Sequence, residues 1–121
     1  MTERLRGLSI LIVEDEYFIA MQVANAIGSC GGSVVGPVAD LEKARDLAQR
    51  EIVDGVILDL TLNGKTSLPF ADELMSRGTP VILATGYAQS HLPKRYSDLP
   101  QLTKPVRETA LVRLIEHTFR R

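Results

Sequence analysis

The sequence predicts a single α/β domain in which a doubly wound, five-stranded parallel sheet carries helices on both faces, as a three-layer sandwich. Short apolar runs alternate five times with segments of helical spacing, and this (βα)5 alternation is typical of a parallel sheet. The 121 residues are too few for a closed barrel of eight βα units, which takes about 250 residues. Several apolar runs also end on a charged or hydroxyl side chain, and parallel strands deliver such groups to one edge of the sheet.

The individual elements follow from the apolar periodicity and from the residues that interrupt it. Continuous apolar runs indicate strands buried on both faces, and apolar side chains three or four residues apart indicate amphipathic helices. Glycines, prolines and the turn pair Asp54-Gly55 separate these segments. The strands are predicted at residues 8–13, 33–39, 56–58, 81–84 and 99–103, and the helices at 17–27, after Asp40, between Ser67 and Gly78, at 88–96 and at 107–120.

Four positions carry specific local predictions. Gly36-Pro37 interrupts the second strand, which places that strand at a sheet edge or at a bulge. Asp40 and Ser67 are the predicted N-caps of the second and third helices. Pro93 and a shortage of aliphatic side chains predict that the fourth helix is short or mobile.

Composition narrows the functional classes. The 14 basic and 15 acidic residues give a net charge of −1, so binding of nucleic acid through a broad basic patch is not expected. Cys30 is the only cysteine, which excludes an intrachain disulfide and a cysteine-based metal cluster. Without a signal-peptide core or a run of transmembrane length, a cytoplasmic protein with no membrane contact is expected. The domain is expected to span residues 1–121 with a core over about 8–119, and the start at Met1 favours a complete protein.

Polar side chains follow four of the five predicted strands. Glu14 and Asp15 follow the first strand, Asp59 the third, Thr85 the fourth and Lys104 the fifth. Carboxylates without histidine or cysteine make a hard, oxygen-ligand site that suits Mg²⁺. A lysine and a hydroxyl beside them suit a phosphoryl group, and Asp59 can attack phosphorus as a carboxylate nucleophile. The sequence therefore predicts phosphoryl chemistry at this edge of the sheet.

With these residues in this order, the chain resembles the response-regulator receiver domains of two-component systems, the CheY-like family with its flavodoxin-like fold, from about residue 8 to residue 119. The resemblance implies that Asp59 accepts a phosphoryl group and that Mg²⁺ assists. It also implies that Asp15 binds the metal directly, Glu14 through water, and Thr61 through its main-chain carbonyl. Thr85 and Lys104 match the hydroxyl and lysine of the family, and the Lys104-Pro105 bond is expected to be cis.

The resemblance also implies partners. The phosphoryl donor would be a sensor histidine kinase or a histidine phosphotransfer protein. The chain has no room for an output domain, so output would pass through contacts with an unknown downstream protein. The expected contact face consists of the fourth helix, the fifth strand and the fifth helix. The protein would be a phosphoacceptor and not an enzyme, beyond hydrolysis of its own phosphoryl group.

A subgroup resemblance rests on the segment Leu83-Ala84-Thr85-Gly86-Tyr87, which is similar to the "FATGY" segment of the FAT GUY receivers. The loop over residues 60–67 also resembles theirs. Two positions depart from the pattern, because Leu83 replaces phenylalanine and Gln101 stands where receivers carry a switch tyrosine or phenylalanine. Tyr87 is therefore the candidate switch aromatic.

Two alternative functions remain open from the sequence. A pseudo-receiver would keep the fold as a binding module without phosphorylation, and Gln101 is the residue that favours this alternative. An aspartyl-phosphate hydrolase would use the same nucleophile but needs an acid–base aspartate two residues later, where this chain has Thr61. Gly64-Lys65-Thr66 is not a phosphate-binding loop, because the first glycine of that motif would fall at Asp59.

Overall fold

The fold is described from a computed structural model, which covers residues 3–86 and 92–120. Its strands and helices alternate along the chain, apart from one hairpin that the sequence analysis did not predict. The strands are β1 (Ser9–Val13), β2 (Ser33–Val38), β3 (Gly55–Asp59), β4 (Thr61–Leu62), β5 (Lys65–Thr66), β6 (Val81–Thr85) and β7 (Gln101–Thr103), and the helices are α1 (Tyr17–Ser29), α2 (Leu41–Arg50), α3 (Leu68–Ser76), α4 (Lys94–Ser97) and α5 (Glu108–Phe119).

The central sheet has five strands in the order β2-β1-β3-β6-β7, and every pair is parallel. This arrangement confirms the predicted doubly wound sheet. All five residues of β3 and of β6 are buried, which explains why both strands appear in the sequence as unbroken apolar runs. The edge strand β2 is only partly buried, and its pairing with β1 shifts register between Leu11 and Val13, as its Gly36-Pro37 predicted.

Alternating side chains of the strands separate the interior into two cores, one on each face of the sheet. Ile10, Ile12 and Ile57 belong to the core that α1 and α5 cover. Leu11 and Leu58 belong to the opposite core, which α2, α3 and α4 cover. A helical layer on each face confirms the three-layer sandwich. In the described part of the chain, no helix is long and apolar enough to cross a membrane.

The packed core begins earlier than residue 8. Leu5 is completely buried, and its main-chain N–H donates to the carbonyl of Cys30 at 2.8 Å. The guanidinium of Arg120 donates to the main-chain carbonyls of Arg4 and Arg6 at 2.8 and 2.9 Å. An Arg4–Glu116 ion pair joins the same two segments at 2.6 Å. The N-terminal turn is therefore fastened to the end of α5.

The predicted helix caps have different outcomes. Asp40 caps α2 as predicted, because its carboxylate accepts from the N–H of Lys43 at 2.8 Å. Ser67 is the N-cap residue of α3, as predicted, but its side chain makes no capping hydrogen bond. Its hydroxyl donates backward to the carbonyls of Asp59 and Leu60 instead, at 2.6 and 3.1 Å.

The fourth helix is short within the described residues, as predicted, and begins only after Pro93. Residues 87–91 of the predicted helix lie outside the described part of the chain. The buried Tyr96 attaches α4 to α3, because its hydroxyl donates to Asp72 Oδ2 at 2.7 Å. Arg95 donates to the same carboxylate at 3.0 Å. This contact fixes α4 against the core that contains Leu58.

Candidate functional site

The predicted site residues meet at one edge of the sheet, where the parallel strands end. Asp59 is the last residue of β3, and Thr85 is the last residue of β6. Glu14 and Asp15 follow β1, and Lys104 follows β7. Parallel strands share a direction, so their carboxyl ends lie side by side. Residues distant in sequence are thereby brought to one cleft of about 350 Å³, lined by Asp15, Glu16, Asp59, Leu60, Thr61, Gly64, Thr85, Gly86 and Lys104.

Three carboxylates form the acidic part of this site. Glu14, Asp15 and Asp59 each offer one oxygen, and these three atoms lie within 4.8 Å of one another. Glu14 and Asp59 are buried, whereas Asp15 is partly exposed. Carboxylate oxygens at this spacing are the ligands that Mg²⁺ prefers, so the donor set fits the metal expected from the sequence.

Lys104 places a positive charge against two of these acids. Its Nζ lies 3.0 Å from Glu14 Oε1 and 3.3 Å from Asp59 Oδ2. Burial lowers the pKa of Lys104, but the hydrogen bond to Glu14 and the charge of Asp59 outweigh it and raise the pKa overall. Glu16 Oε1 is 3.6 Å from the same nitrogen. Glu16 is not among the predicted site residues, so the sequence did not indicate this contact.

The surroundings of Asp59 oppose its negative charge. The side chain is only 5% exposed, and burial together with the charge of Glu14 raises its pKa to about 7, although Lys104 lowers it. The N–H of Thr61 donates to Asp59 Oδ1 at 3.3 Å. A cation placed among the acids would offset the repulsion from Glu14 and favour the ionised carboxylate.

Thr85 carries a hydroxyl that lacks a hydrogen-bond partner among residues 3–86 and 92–120. The side chain is 1% exposed, and it lines the cleft that contains Asp59. A buried hydroxyl without a partner costs free energy, so this group is available to an oxygen that enters the cleft. The carbonyl of Thr85 accepts from the N–H of Lys104 at 2.8 Å, which joins the ends of β6 and β7.

The loop after Asp59 is an antiparallel hairpin of β4 and β5. Asn63 and Gly64 form its turn with positive φ values of 51° and 79°, a conformation that asparagine and glycine adopt most readily. Thr61, the predicted main-chain metal ligand, is exposed in β4 and lines the cleft. The Asn63-Gly64 pair is the sequence signal from which this hairpin could have been predicted.

The remaining predictions concern the switch residue and the bond after Lys104. Tyr87 lies outside the described residues, so its role stays a prediction. Gln101 begins β7 beside Leu83, and no aromatic side chain occupies that position. The Lys104-Pro105 bond is cis, as the family resemblance predicted.

Comparison with known proteins assigns the family. A family model for the response regulator receiver domain matches residues 10–116, which is nearly the whole chain. The chain therefore belongs to the response regulator receiver domain family of two-component signalling. The five-stranded parallel sheet and the position of the acidic cleft agree with this assignment.

Several individual proteins are similar to this chain. The transcriptional regulatory protein PdtaR of Mycobacterium tuberculosis is 32% identical over 111 residues, which are 88% of this chain and 54% of PdtaR. The chain thus spans about half the length of the curated relatives that it matches. SdrG from Sphingomonas melonis Fr1 is 32% identical, with a TM-score of 0.79 over 93% of this chain and 96% of SdrG. The response regulator PhyR from Brucella abortus is 27% identical, with a TM-score of 0.81 over 97% of this chain and 50% of PhyR.

Proposed function

We propose that this receiver domain accepts a phosphoryl group on Asp59 in the presence of Mg²⁺. The observation that carries the proposal is the convergence on one cleft of a buried carboxylate, two further acids, a lysine and a buried hydroxyl that has no hydrogen-bond partner among the described residues. The donor is a sensor histidine kinase or a histidine phosphotransfer protein, as the family resemblance implies. The transfer makes the domain a switch and not an enzyme that acts on a separate substrate.

The reaction exchanges one bond to phosphorus for another. An Asp59 carboxylate oxygen attacks phosphorus, the new O–P bond forms, and the N–P bond of the donor phosphohistidine breaks. The leaving imidazole keeps the bonding electron pair and takes a proton from solvent. Lys104 Nζ, which lies 3.3 Å from Asp59 Oδ2, is positioned to pair with the transferred phosphoryl oxygens.

Glu14, Asp15, Asp59 and the carbonyl of Thr61 are the residues that would hold Mg²⁺. The bound cation supplies charge neutralisation for the phosphoryl oxygens. Thr85 acts after the transfer, because its buried hydroxyl can donate to a phosphoryl oxygen that reaches the cleft. Satisfying that hydroxyl would draw the end of β6 toward the phosphorylated Asp59 and so change the surface beside it.

The proposed output is contact with a downstream protein through α4, β7 and α5. An open groove of about 590 Å³ lies on this face, with a mainly apolar lining. Its residues are Gln101, Leu102, Thr103, Pro105, Arg107, Ala110, Arg113, Leu114 and His117. Support for activation by a ligand comes from SdrG, which has been solved in a BeF3-activated conformation and is 32% identical to this chain.

The decisive experiment is intact-mass measurement after incubation with acetyl phosphate and Mg²⁺. We expect the natural protein to gain one phosphoryl group and Asp59→Asn to gain none. Asp46→Asn is the matched control, because Asp46 is exposed on α2, and it should gain the group normally. Replacing Mg²⁺ with EDTA should abolish the gain.

Two outcomes would favour the alternatives. A natural protein that binds Mg²⁺ but gains no phosphoryl group from acetyl phosphate or from a phosphorylated histidine donor would be a pseudo-receiver. Sustained hydrolysis of added phosphomonoesters would identify an aspartyl-phosphate hydrolase. Thr61 stands where such an enzyme needs its acid–base aspartate, so we expect no such turnover.

A further inference from the structure

The β4–β5 hairpin contacts an acid that lies far from it in the sequence. The main-chain N–H of Asn63, at the tip of the hairpin, donates to Asp15 Oδ2 at 2.9 Å. Asp15 follows β1, 48 residues earlier in the chain. Asp15 is partly exposed, so its side chain could rotate into solvent. The hydrogen bond from Asn63 restrains that rotation.

The direction of that N–H depends on the asparagine itself. Asn63 has a φ of 51°, in the left-handed region that most side chains avoid. Its side-chain amide donates at 3.2 Å to the carbonyl of Ala39, the residue directly after β2. Backbone conformation and side chain together hold the hairpin tip over Asp15.

The base of the hairpin is fastened as well. Ser67 is completely buried, and its hydroxyl donates to the carbonyls of Asp59 and Leu60 at 2.6 and 3.1 Å. Between base and tip, Thr61 pairs with Thr66 in the antiparallel ladder. The hairpin is thus held at one end by the backbone of Asp59 and at the other by the carboxylate of Asp15.

We propose that Asn63 is a positioning residue for the divalent cation site, acting through Asp15. Its N–H donates to Asp15 Oδ2 at 2.9 Å, and Asp15 offers an oxygen that lies within 4.8 Å of oxygens of Glu14 and Asp59. Partners of this kind orient metal ligands and raise the affinity for the metal, because the carboxylate need not be ordered when the cation binds. The inference rests on the Mg²⁺ site of the proposed function and adds the residue that sets its affinity.

Mg²⁺ binding measured by calorimetry, without any phosphoryl donor, tests the proposal. We expect Asn63→Ala to weaken Mg²⁺ binding about tenfold. Asn63→Gly, which retains access to the left-handed conformation and loses only the amide contact with Ala39, should weaken it by a smaller factor. Asn25→Ala is the matched control, because Asn25 is the only other asparagine and is exposed on α1. It should bind Mg²⁺ as the natural protein does.

Amide NMR gives a second readout that does not depend on the variants. The Asn63 amide proton of the natural protein should stay protected from exchange when Mg²⁺ saturates the site. Loss of that protection, or Asn63 variants that bind Mg²⁺ as tightly as the natural protein, would refute the positioning role and leave the phosphoryl proposal intact. Failure of the natural protein to bind Mg²⁺ would refute both.

Discussion

At the scale of single residues, Asp59 is held in surroundings that penalise its charge. Burial and the neighbouring Glu14 raise its pKa to about 7, and Lys104 offsets only part of that effect. A nucleophile must be ionised to attack phosphorus, and a pKa of about 7 leaves a large protonated fraction of Asp59 at neutral pH. In the proposed function, a cation bound among the acids would therefore also favour the ionised form of Asp59 that attacks phosphorus.

The raised pKa has a measurable cost in stability. An aspartate with a pKa near 3.8 when unfolded and about 7 when folded binds its proton more tightly in the folded state. Raising the pH through this interval therefore lowers the free energy of unfolding. In EDTA at pH 8, we expect Asp59→Asn to be more stable than the natural protein by about 2 kcal/mol, measured by urea unfolding.

The same pair of proteins supplies the control for this prediction. The advantage of Asp59→Asn should shrink steadily between pH 7 and pH 4, because the natural side chain becomes protonated. Saturating Mg²⁺ should also reduce the advantage at pH 8. A stability difference that does not vary with pH would contradict the raised pKa.

The sequence predicted the meeting of Glu14, Asp15, Asp59 and Lys104, because each lies at or directly after the end of a parallel strand and such ends share one edge of the sheet. It did not predict that Glu16 approaches Lys104 or that the Asn63 N–H binds Asp15. Such contacts depend on side-chain rotamers and on the path of a loop. The pattern of residue types in a sequence determines neither the rotamers nor the path of the loop.

At the scale of elements, the start of β3 is shaped by the end of α5. Sequence reasoning assigned Asp54-Gly55 to a turn, but Gly55 is the first residue of β3. A Cβ built on Gly55 would overlap the ring of Phe119. The glycine allows this ring to approach the sheet closely. Gly55 and Phe119 are far apart in the sequence, so local sequence patterns cannot indicate their contact.

Replacing Gly55 tests this close contact. We expect Gly55→Ala to lower the free energy of unfolding by about 2 kcal/mol or more, because the Phe119 ring must move in a packed core. Gly28→Ala is the matched control, since Gly28 lies in α1 and the added methyl group would have no atom within 4 Å beyond its chain neighbours and the nearby backbone of α1. It should be neutral or stabilising by up to about 1 kcal/mol. Equal effects of the two variants in urea unfolding would show that the ring contact is unimportant.

The regular elements were the most predictable part of the fold, and the pieces between them the least. Buried strands such as β3 and β6 contain unbroken apolar runs, and the sequence predicted both strands from these runs. The β4–β5 hairpin has only two residues in each strand, which is too short for any periodicity. Ser67 stands at the predicted N-cap position, but its hydroxyl donates to the carbonyls of Asp59 and Leu60, a contact that its position in the sequence does not indicate.

At the scale of the whole molecule, the two edges of the sheet where strands begin and end carry different features. The carboxyl edge holds the acidic cleft, and the opposite edge, where β1 and β3 begin, holds the N-terminal turn and the end of α5. Leu5 enters the core there although it precedes the first strand. The sequence pattern before Leu8 consists of charged residues around one leucine, so periodicity could not identify Leu5 as part of the core.

Truncating that side chain measures how far the turn contributes to stability. We expect Leu5→Ala to cost about 2 to 4 kcal/mol in urea unfolding, as for other fully buried leucines. The control is Ile52→Ala, because Ile52 is 89% exposed and its loss should change stability by less than about 0.5 kcal/mol. A small effect at Leu5 would mean that the turn can detach without loss of the core.

The attachment of Arg120 to the carbonyls of Arg4 and Arg6 also determines how the domain can be joined to other proteins. Both ends of the described chain leave from the edge opposite Asp59, so a reporter fused at either end would project away from the cleft. A short peptide linking residue 120 to residue 3 would create a circular permutant, with new termini opened at the exposed segment around Ile52. Such a rearranged chain would keep all the strands that supply the cleft.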